Sequence, residues 1–202
     1  SNVNAGFLCG LLDNVYCNDF LSTTTSSRII TNLTNDVNGN CNAAGVIGKI
    51  TNVDGDYNEL TISNILVKTK GEFIVSSTIN NSKGSNVNYA NAAGAYGNIE
   101  CDSKKTIIID PVFIDKVDDS IDSDNSEIKI SASATSSESF GNAYAGGLFG
   151  YLDAANSNQV SFSKSFGTSD KIIFCNDLEV IATQNGYSQA YAGGIFAYNA
   201  YE

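Results

Sequence analysis

The amino-acid sequence predicts an all-β fold built from repeats, and three observations carry this prediction. Charged residues make up only 16% of the chain, and the polar remainder is mostly Asn, Ser and Thr, whose side chains compete with helical hydrogen bonds. β-Branched runs alternate apolar and polar residues, as in Leu60/Ile62 and Ile128/Ile130, which is the period of a half-buried strand. A glycine motif also returns five times along the 202 residues.

The glycine motif defines the repeats. Its fullest copies are Ala-Gly-Gly-Leu-Phe-Gly-Tyr at 145–151 and Ala-Gly-Gly-Ile-Phe-Ala-Tyr at 192–198, and weaker copies begin at Ala5, Ala44 and Ala93. The aligned glycines lie at steps of 39, 49, 53 and 47 residues: Gly6, Gly45, Gly94, Gly147 and Gly194. A period in this range indicates a repeat architecture.

We therefore expect a single repeat domain over 1–202. Its repeats would occupy about 5–43, 44–92, 93–145 and 146–192, with a partial copy at 193–202. Because both ends of the chain lie on the motif, we also expect the chain to be a segment of a longer one.

Each repeat contains three strand-like segments, separated by turn clusters such as Asn-Gly and Asp-Gly. In order, the segments are 7–12, 15–21 and 28–33, then 45–50, 59–67 and 72–79, then 94–99, 106–114 and 127–134, then 147–152, 159–166 and 177–183 with an additional run at 171–175. Pro111 predicts a bulge or a strand end, because proline donates no ladder hydrogen bond. The acidic stretch 116–127 predicts a solvated loop.

Repeats of this length suit a β-propeller, a parallel β-solenoid or a sandwich-like arrangement. In kelch blades the apolar strand precedes the Gly-Gly doublet, whereas here Leu148-Phe149 and Ile195-Phe196 follow it. In a solenoid, equivalent residues of successive coils stack at about 4.8 Å, so small residues suit the corner and Phe149, Phe196 and Tyr96 suit an aromatic stack. We therefore expect an all-β, parallel β-solenoid (β-helix) of about four repeats of 39–53 residues. Whether one repeat makes one coil or two stays open at this point.

The motif at 145–151 and 192–196 resembles the GLUG-type repeat, Gly-Gly-Leu-Val-Gly and its variants. The strand at 60–65, Leu-Thr-Ile-Ser-Asn-Ile, is similar to the Thr-Ile-x-Asn segment of the same repeats. That family occurs in secreted microbial adhesins and surface proteins that are expected to form β-solenoids. The period here is nearly double the usual one. The resemblance implies secretion and surface interaction, and it implies no catalytic residues.

Charge and composition exclude several classes of partner. A net charge of −11 argues against nucleic acid, because phosphate binding needs a positive surface. The sequence contains no run of 18 apolar residues, so we expect no membrane span. Two sequons, at Asn32 and Asn80, would be glycan acceptors in a secreted eukaryotic protein.

The five cysteines form no Cys-x-x-Cys pair, and the chain has no histidine, so a zinc site is not expected. Two readings remain for them. They are small buried hydrophobes, or some of them form disulfides in a secreted protein, among Cys9, Cys17 and Cys41.

Catalytic chemistry has few candidates in this sequence. Without histidine there is no imidazole base, and Asp110 and Asp115, which flank 111–114, are explained equally well as turn residues. We therefore expect no enzyme and no cofactor, apart from a possible structural calcium. Its ligands would be the clustered hard oxygens that calcium requires, from Asp118, Asp119, Asp122, Asp124 and Glu127. A solvated acidic loop is the alternative interpretation of the same residues.

The predicted function is that of a non-catalytic extracellular or cell-surface protein, a repeat segment of a filament, stalk or adhesin. Its terminal copies of the motif would let it stack head-to-tail on itself or on neighbouring repeats. The alternative is an adhesin module that binds glycans or a host protein, with tyrosines near the motif as candidates for stacking on sugars. A polysaccharide-active β-helix enzyme is the third hypothesis.

Overall fold

The structure is a computed structural model, and the residues that it describes form strands, turns and bends without a helix. These residues are 2–15, 17–24, 27–34, 39–53, 56, 58–69, 72–81, 88–102, 105–109, 113–116, 127–136, 141–154, 160–162, 177–186 and 189–199. Every strand pair among them is parallel. The predicted all-β class is confirmed. Within the described part of the chain, no helix is long and apolar enough to cross a membrane.

The strands succeed one another in layers, each layer being one pass of the chain through four sheets, which we name A, B, C and D. The first layer holds β1 (Val3–Gly6), β2 (Cys9–Asp13), β3 (Cys17–Thr24) and β4 (Ser27–Thr34). The second holds β5 (Cys41–Ala44), β6 (Ile47–Asn52), β7 (Glu59–Thr69) and β8 (Phe73–Asn81). The third holds β9 (Asn88–Ala93), β10 (Tyr96–Cys101), β11 (Thr106–Ile109), β12 (Phe113–Lys116) and β13 (Glu127–Ser136). The fourth holds β14 (Gly141–Gly146), β15 (Phe149–Ala154), β16 (Val160–Phe162) and β17 (Asp177–Gly186), and the fifth holds β18 (Ala190–Gly193) and β19 (Phe196–Asn199).

The sheet order follows the layers. Sheet A runs β1-β5-β9-β14-β18, sheet B runs β2-β6-β10-β15-β19, and sheet D runs β4-β8-β13-β17. In sheet C, β7 pairs with β3, β11 and β12, and β11 pairs with β16. Parallel neighbours need a long return connection, and here that connection is the path through the other three sheets.

Sheet A is the part of the fold that the sequence did not predict. Each repeat was expected to carry three strands, but the structure adds a fourth just before the glycine corner, such as β5 with the sequence Cys-Asn-Ala-Ala. Alanine and asparagine are poor strand formers in isolation. These strands form because both of their faces are buried, in contact with sheet D and with sheet B. Most side chains in these strands are small, and Tyr144 in β14 is a buried exception.

Two strands of the third layer pair with β7 at the same offset. Thr106 pairs with Glu59 and Phe113 with Leu66, and β11 ends at Ile109 while β12 begins at Phe113. Pro111 lies outside the described residues, so the predicted bulge or strand end there stays a prediction.

The alignment of the first glycine is wrong by one residue. Gly6 pairs with Ala44, the last residue of β5, so Phe7 occupies the corner position that Gly45 holds in the second layer. The step from the first repeat to the second is therefore 38 residues, as the bond from Asn42 to Asn4 also shows. The later glycines keep their alignment, since Ala93 pairs with Ala44 and Gly146, and Gly146 with Gly193.

The core consists of columns of apolar residues that lie above one another in successive layers. In sheet D, Ile29, Val75 and Ile130 are paired by register and buried. Leu60 and Ile107 form a similar pair in sheet C. Because each layer covers the one before it, burial depends on the next layer being present.

Candidate functional site: side-chain ladders and open strand edges

The corner between sheets A and B is built on stacked glycines. Gly45, Gly94 and Gly147 follow the paired ends of β5, β9 and β14. A Cβ atom on any of them would overlap the carbonyl oxygen of the corner glycine in the next layer, so the close approach of two backbones excludes a side chain. Gly194 holds the same corner in the last layer, but a Cβ there would meet nothing within 4 Å.

A second glycine column brings sheet B close to sheet A. A Cβ on Gly48 would lie 2.7 Å from Ala5 O and 2.8 Å from Ala5 N. Gly97 and Gly150 repeat this position in the following layers and would meet the backbones of Ala43 and Ala92. At Gly97 and Gly150 the nearest atom to such a Cβ would be the carbonyl oxygen of the equivalent glycine in the preceding layer, 2.5 Å away. This glycine is therefore explained by the close approach of the preceding layer together with that of sheet A.

An aromatic column follows the corner. Phe149 and Phe196 pair by register, and their rings stack with centroids 4.7 Å apart and planes at 12°. Tyr96 pairs with Phe149, with centroids 5.5 Å apart and planes at 32°. Aromatic pairs at such distances stabilise beyond their buried area.

Asparagine side chains form a buried ladder along sheet A. Asn91 Nδ2 donates a hydrogen bond to Asn42 Oδ1 at 2.7 Å, and Asn42 Nδ2 donates to Asn4 Oδ1, also at 2.7 Å. Asn42 and Asn91 are fully buried. Tyr144 and Tyr191 continue the same column in the fourth and fifth layers, so the amide ladder ends at Asn91.

Asparagine side chains in sheet A also accept hydrogen bonds from backbone N–H groups of the next layer. Asn2 Oδ1 accepts a bond from Asn40 N at 3.1 Å, and Asn40 Oδ1 accepts one from Tyr89 N at 3.0 Å. In the fourth layer, Asn142 Oδ1 accepts from Gln189 N at 3.1 Å.

Sequence reasoning missed both sets of asparagines, although a signal for the first was present. Asn-Ala-Gly, Asn-Ala-Ala and Asn-Ala-Ala begin at Asn4, Asn42 and Asn91, followed by Tyr-Ala-Gly at Tyr144 and Tyr191. An alignment on the residue three positions before Gly45, Gly94, Gly147 and Gly194, and two positions before Gly6, would have found this column.

Five tyrosines form one cluster along the A–B corner. Ring centroids of neighbouring members are 5.0 to 5.8 Å apart. The members are Tyr89, Tyr144, Tyr151, Tyr191 and Tyr198. Burial raises the pKa of Tyr144 and of Tyr151, so both phenols stay neutral at physiological pH. Tyr191 and Tyr198 lie in the last layer and are partly exposed.

The structure describes four of the five cysteines: Cys9, Cys17, Cys41 and Cys101. Burial raises the pKa of Cys41 and of Cys101 to about 11, which keeps both as neutral core residues. None of the four forms a disulfide with another. Cys175 lies outside the described residues.

Most of the predicted metal and catalytic residues lie outside the described part of the chain. This holds for Asp110, Asp118, Asp119, Asp122 and Asp124, and for Asp115 and Glu127 only the backbone in β12 and β13 is described. The predicted calcium site and the Asp110–Asp115 pair therefore stay predictions. Among the described residues, no group of three or more His, Cys, Asp or Glu side chains could hold a metal ion.

The sequon asparagines Asn32 and Asn80 both lie in sheet D, on β4 and β8, and both are exposed. A glycan on either one would point away from the core. Their use as acceptors stays a prediction.

Among the described residues, no further strand pairs with the outer sides of β18 and β19. Ile195 is 51% exposed and Phe196 is 37% exposed, whereas Leu148 and Phe149, which precede them in the same columns, are each 4% exposed. Leu178 in β17 is likewise exposed while its partner Ile128 is buried. Open edges with unpaired backbone groups are templates for further strands.

Comparison with protein-family models, with curated protein sequences and with solved structures returned no match. The geometry of this chain therefore carries the functional argument by itself.

Proposed function

We propose that the chain is a parallel β-solenoid with one coil per repeat, and that it serves as a non-catalytic structural segment of an extracellular filament, stalk or adhesin. The chain passes through sheets A, B, C and D in the same order in the first four layers, and the described part of the fifth layer enters sheet A and then sheet B. A solenoid requires that equivalent residues of successive coils stack on one another. Each layer would add about 4.8 Å to the length.

The observation that carries this proposal is the contrast between inner and terminal layers. Identical or similar side chains form continuous columns inside, and the same columns end on exposed apolar residues in the fifth layer. In a solenoid, further repeats bury such columns by stacking on them. Those repeats would belong either to the same longer chain or to a second copy.

An extracellular or cell-surface location is part of the proposal. It is supported by the exposure of both sequon asparagines and by the scarcity of charged side chains in the repeats.

Assembly of the purified chain tests the proposal. We expect linear particles in negative-stain electron microscopy and concentration-dependent sedimentation, because head-to-tail contacts do not close. Gly194→Ala is the matched variant, since its Cβ meets nothing in one copy but would overlap the corner carbonyl oxygen of a following layer that stacks as the third to fifth layers do. It should fold normally and stay monomeric. A wild-type protein that stays monomeric at several hundred micromolar would contradict the end-to-end function.

A glycan-binding adhesin module is the second candidate, and the tyrosine cluster favours it. Tyr191 and Tyr198 stand at its exposed end with ring centroids 5.3 Å apart, and aromatic faces of this kind stack on sugars. A glycan array decides whether this candidate stands: binding that is lost in Tyr198→Ala but kept in Tyr89→Ala would support it, and an array without hits would dismiss it.

A further inference from the structure

The face of sheet B opposite the buried column of Ile50 and Ile99 carries a lysine, an asparagine and a glutamate in contact. Lys49 of β6 and Asn98 of β10 are paired by register, so their side chains leave adjacent strands about 4.8 Å apart. Glu100 lies two residues beyond Asn98 on the same strand and therefore on the same face. The group thus joins the second layer of the fold to the third.

One carboxylate holds both the amine and the amide. Lys49 Nζ lies 2.8 Å from Glu100 Oε2, and Asn98 Nδ2 donates a hydrogen bond to Glu100 Oε1 at 2.9 Å. The two nitrogen atoms therefore contact the two oxygens of a single carboxylate. Rotation about side-chain bonds is all that is needed to bring Nζ to the carboxamide carbon, Cγ of Asn98.

Water has little access to the asparagine at the centre of this group. Asn98 is 2% exposed, and the side chains of Lys49 and Glu100 are 13% and 30% exposed. Tyr151 stands next to Asn98 in the same column, one layer further on. Among the described residues, Asn98 Oδ1 is buried and accepts no hydrogen bond. The carboxamide is therefore held in an arrangement that leaves its oxygen unsatisfied, which is unfavourable in a folded protein.

We propose that Lys49 and Asn98 form an intramolecular amide bond between Nζ and Cγ, with Glu100 as the general base and acid that transfers the protons. The bond ties the second layer covalently to the third. This inference goes beyond the proposed function and does not depend on it, because the reacting groups belong to one copy of the chain.

The three side chains supply each step of the reaction. Glu100 takes a proton from the Lys49 ammonium across the ion pair, because the neutral amine is the nucleophile. The Nζ lone pair forms a bond to Asn98 Cγ, and the carbonyl π electrons move to Oδ1. Glu100 then gives its proton to Nδ2 and takes one from Nζ. The electrons on Oδ1 return to the carbonyl, the Cγ–Nδ2 bond breaks, and ammonia leaves.

Atoms and charge balance in this reaction without a further reactant. One ammonium group and one primary carboxamide become one secondary amide and one ammonium ion, and Glu100 returns to its carboxylate form. Groups that a rigid sheet holds side by side react far faster than the same groups free in solution. The exclusion of water limits hydrolysis of the new bond.

Mass spectrometry of the purified chain tests the bond. We expect the intact protein to be lighter than its sequence requires by the mass of one ammonia molecule. Peptide mapping should yield a branched peptide in which position 49 is joined to position 98. Mapping is needed because the Asn-Gly sequences at 38–39 and 185–186 also lose ammonia when the asparagine cyclises on the following backbone nitrogen.

Three variants separate the proposed chemistry from other losses of ammonia. Lys49→Arg keeps the positive charge but removes the amine, and Glu100→Gln keeps the shape but removes the base. Neither should give the branched peptide. Asp13→Asn is the matched control, because it removes a carboxylate from the column of Glu100 that accepts a hydrogen bond from Thr51. It should react like the wild type, and circular dichroism checks that all three variants fold.

Two results would overturn this inference. A folded wild type that contains no branched peptide after prolonged incubation at neutral pH would show that the bond does not form. A branched peptide that forms in Glu100→Gln as fully as in the wild type would show that Glu100 has no part in the reaction. Neither result bears on end-to-end assembly, which sedimentation measures separately.

Discussion

Gly94 and Gly194 occupy the same corner in different layers, and their surroundings differ completely. A Cβ on Gly94 would overlap the carbonyl oxygen of Gly147, which is backbone and cannot rotate away. A Cβ on Gly194 would meet nothing. In the second, third and fourth layers the requirement for glycine therefore comes from the neighbouring layer and not from the backbone angles of the residue itself. In the first layer Phe7 takes the corner position.

We expect Gly94→Ala to lower the free energy of unfolding by roughly 1–3 kcal/mol, the usual cost of overpacking. Gly194→Ala should leave the free energy of unfolding unchanged or raise it by up to about 1 kcal/mol, since alanine reduces the entropy of the unfolded chain. Urea denaturation of dilute monomers, followed by circular dichroism, measures both. Equal losses in the two variants would contradict the stacked-glycine explanation.

The buried thiols of Cys41 and Cys101 predict a loss of stability at alkaline pH. Burial raises the pKa of each to about 11, so the folded protein keeps both protons where the unfolded chain, with an ordinary thiol pKa near 8.5, has lost them. The stabilising contribution is complete below about pH 8.5 and disappears as the pH rises to about 11.

Urea denaturation at pH 8, 9, 10 and 11 measures this loss, which should amount to at most about 3 kcal/mol for each thiol. Cys41→Ala is the control, because its column continues as Ala90 and Ala143 and alanine fits there. The alkaline slope should be shallower in this variant. A slope equal to that of the wild type would show that Cys41 does not ionise in this range.

At the scale of elements, the asparagine ladder predicts unequal effects along one column. Asn42 accepts from Asn91 and donates to Asn4, and it is fully buried. Asn42→Ala breaks both bonds and leaves the Asn91 amide without its acceptor. An unsatisfied buried polar group costs about 1–3 kcal/mol in addition to the lost bonds.

We therefore expect Asn42→Ala to lower the free energy of unfolding by about 2–4 kcal/mol. Asn4→Ala breaks one bond at the half-buried end of the ladder. It should cost about 1 kcal/mol, because removal of this side chain lets water reach the Asn42 amide. Chemical denaturation of the two variants provides the comparison. Similar costs at both positions would mean that the ladder does not act as a buried network.

Sheets B, C and D could be predicted from the sequence because their strands alternate bulky apolar residues with polar ones. Ile128 and Ile130 in β13, for example, are both buried. Sheet A could not be predicted, because its strands consist largely of alanine and asparagine. They adopt the strand conformation because neighbouring sheets pack on both of their faces. The alignment of Gly6 was wrong by one residue because Phe7, and not a glycine, takes the corner position in the first layer. Only the register of the strands shows this.

Of the candidate site, the sequence predicted the recurring glycine motif but not the contacts that its residues make. Sequence repetition indicated that the corner glycines stack, but not that Gly194 is the one without a neighbour. That property belongs to the end of the layered structure, and no local pattern distinguishes Gly194 from Gly147. The tyrosine cluster was likewise visible as scattered tyrosines, while their contact depends on the closeness of sheets A and B.

At the scale of the whole molecule, the net charge opposes the contact that we propose. Each copy carries a charge of −11, so two copies repel one another over the Debye length, which is about 30 Å at 0.01 M salt and about 8 Å at 0.15 M. The residues exposed at the two ends include apolar side chains such as Ile195 and Leu11. Contacts between apolar side chains are not weakened by this screening.

Assembly should therefore become stronger as salt is added. We expect the concentration for half-assembly to fall between 10 mM and 150 mM sodium chloride and to stay low at 500 mM, because screening removes repulsion and leaves the apolar contact in place. Sedimentation velocity at the three salt concentrations measures this, with Gly194→Ala as the variant that should remain monomeric throughout. If added salt dissociated the assemblies instead, ion pairs would hold the copies together. Contact between exposed apolar residues such as Ile195 and Leu11 would then not be what joins them.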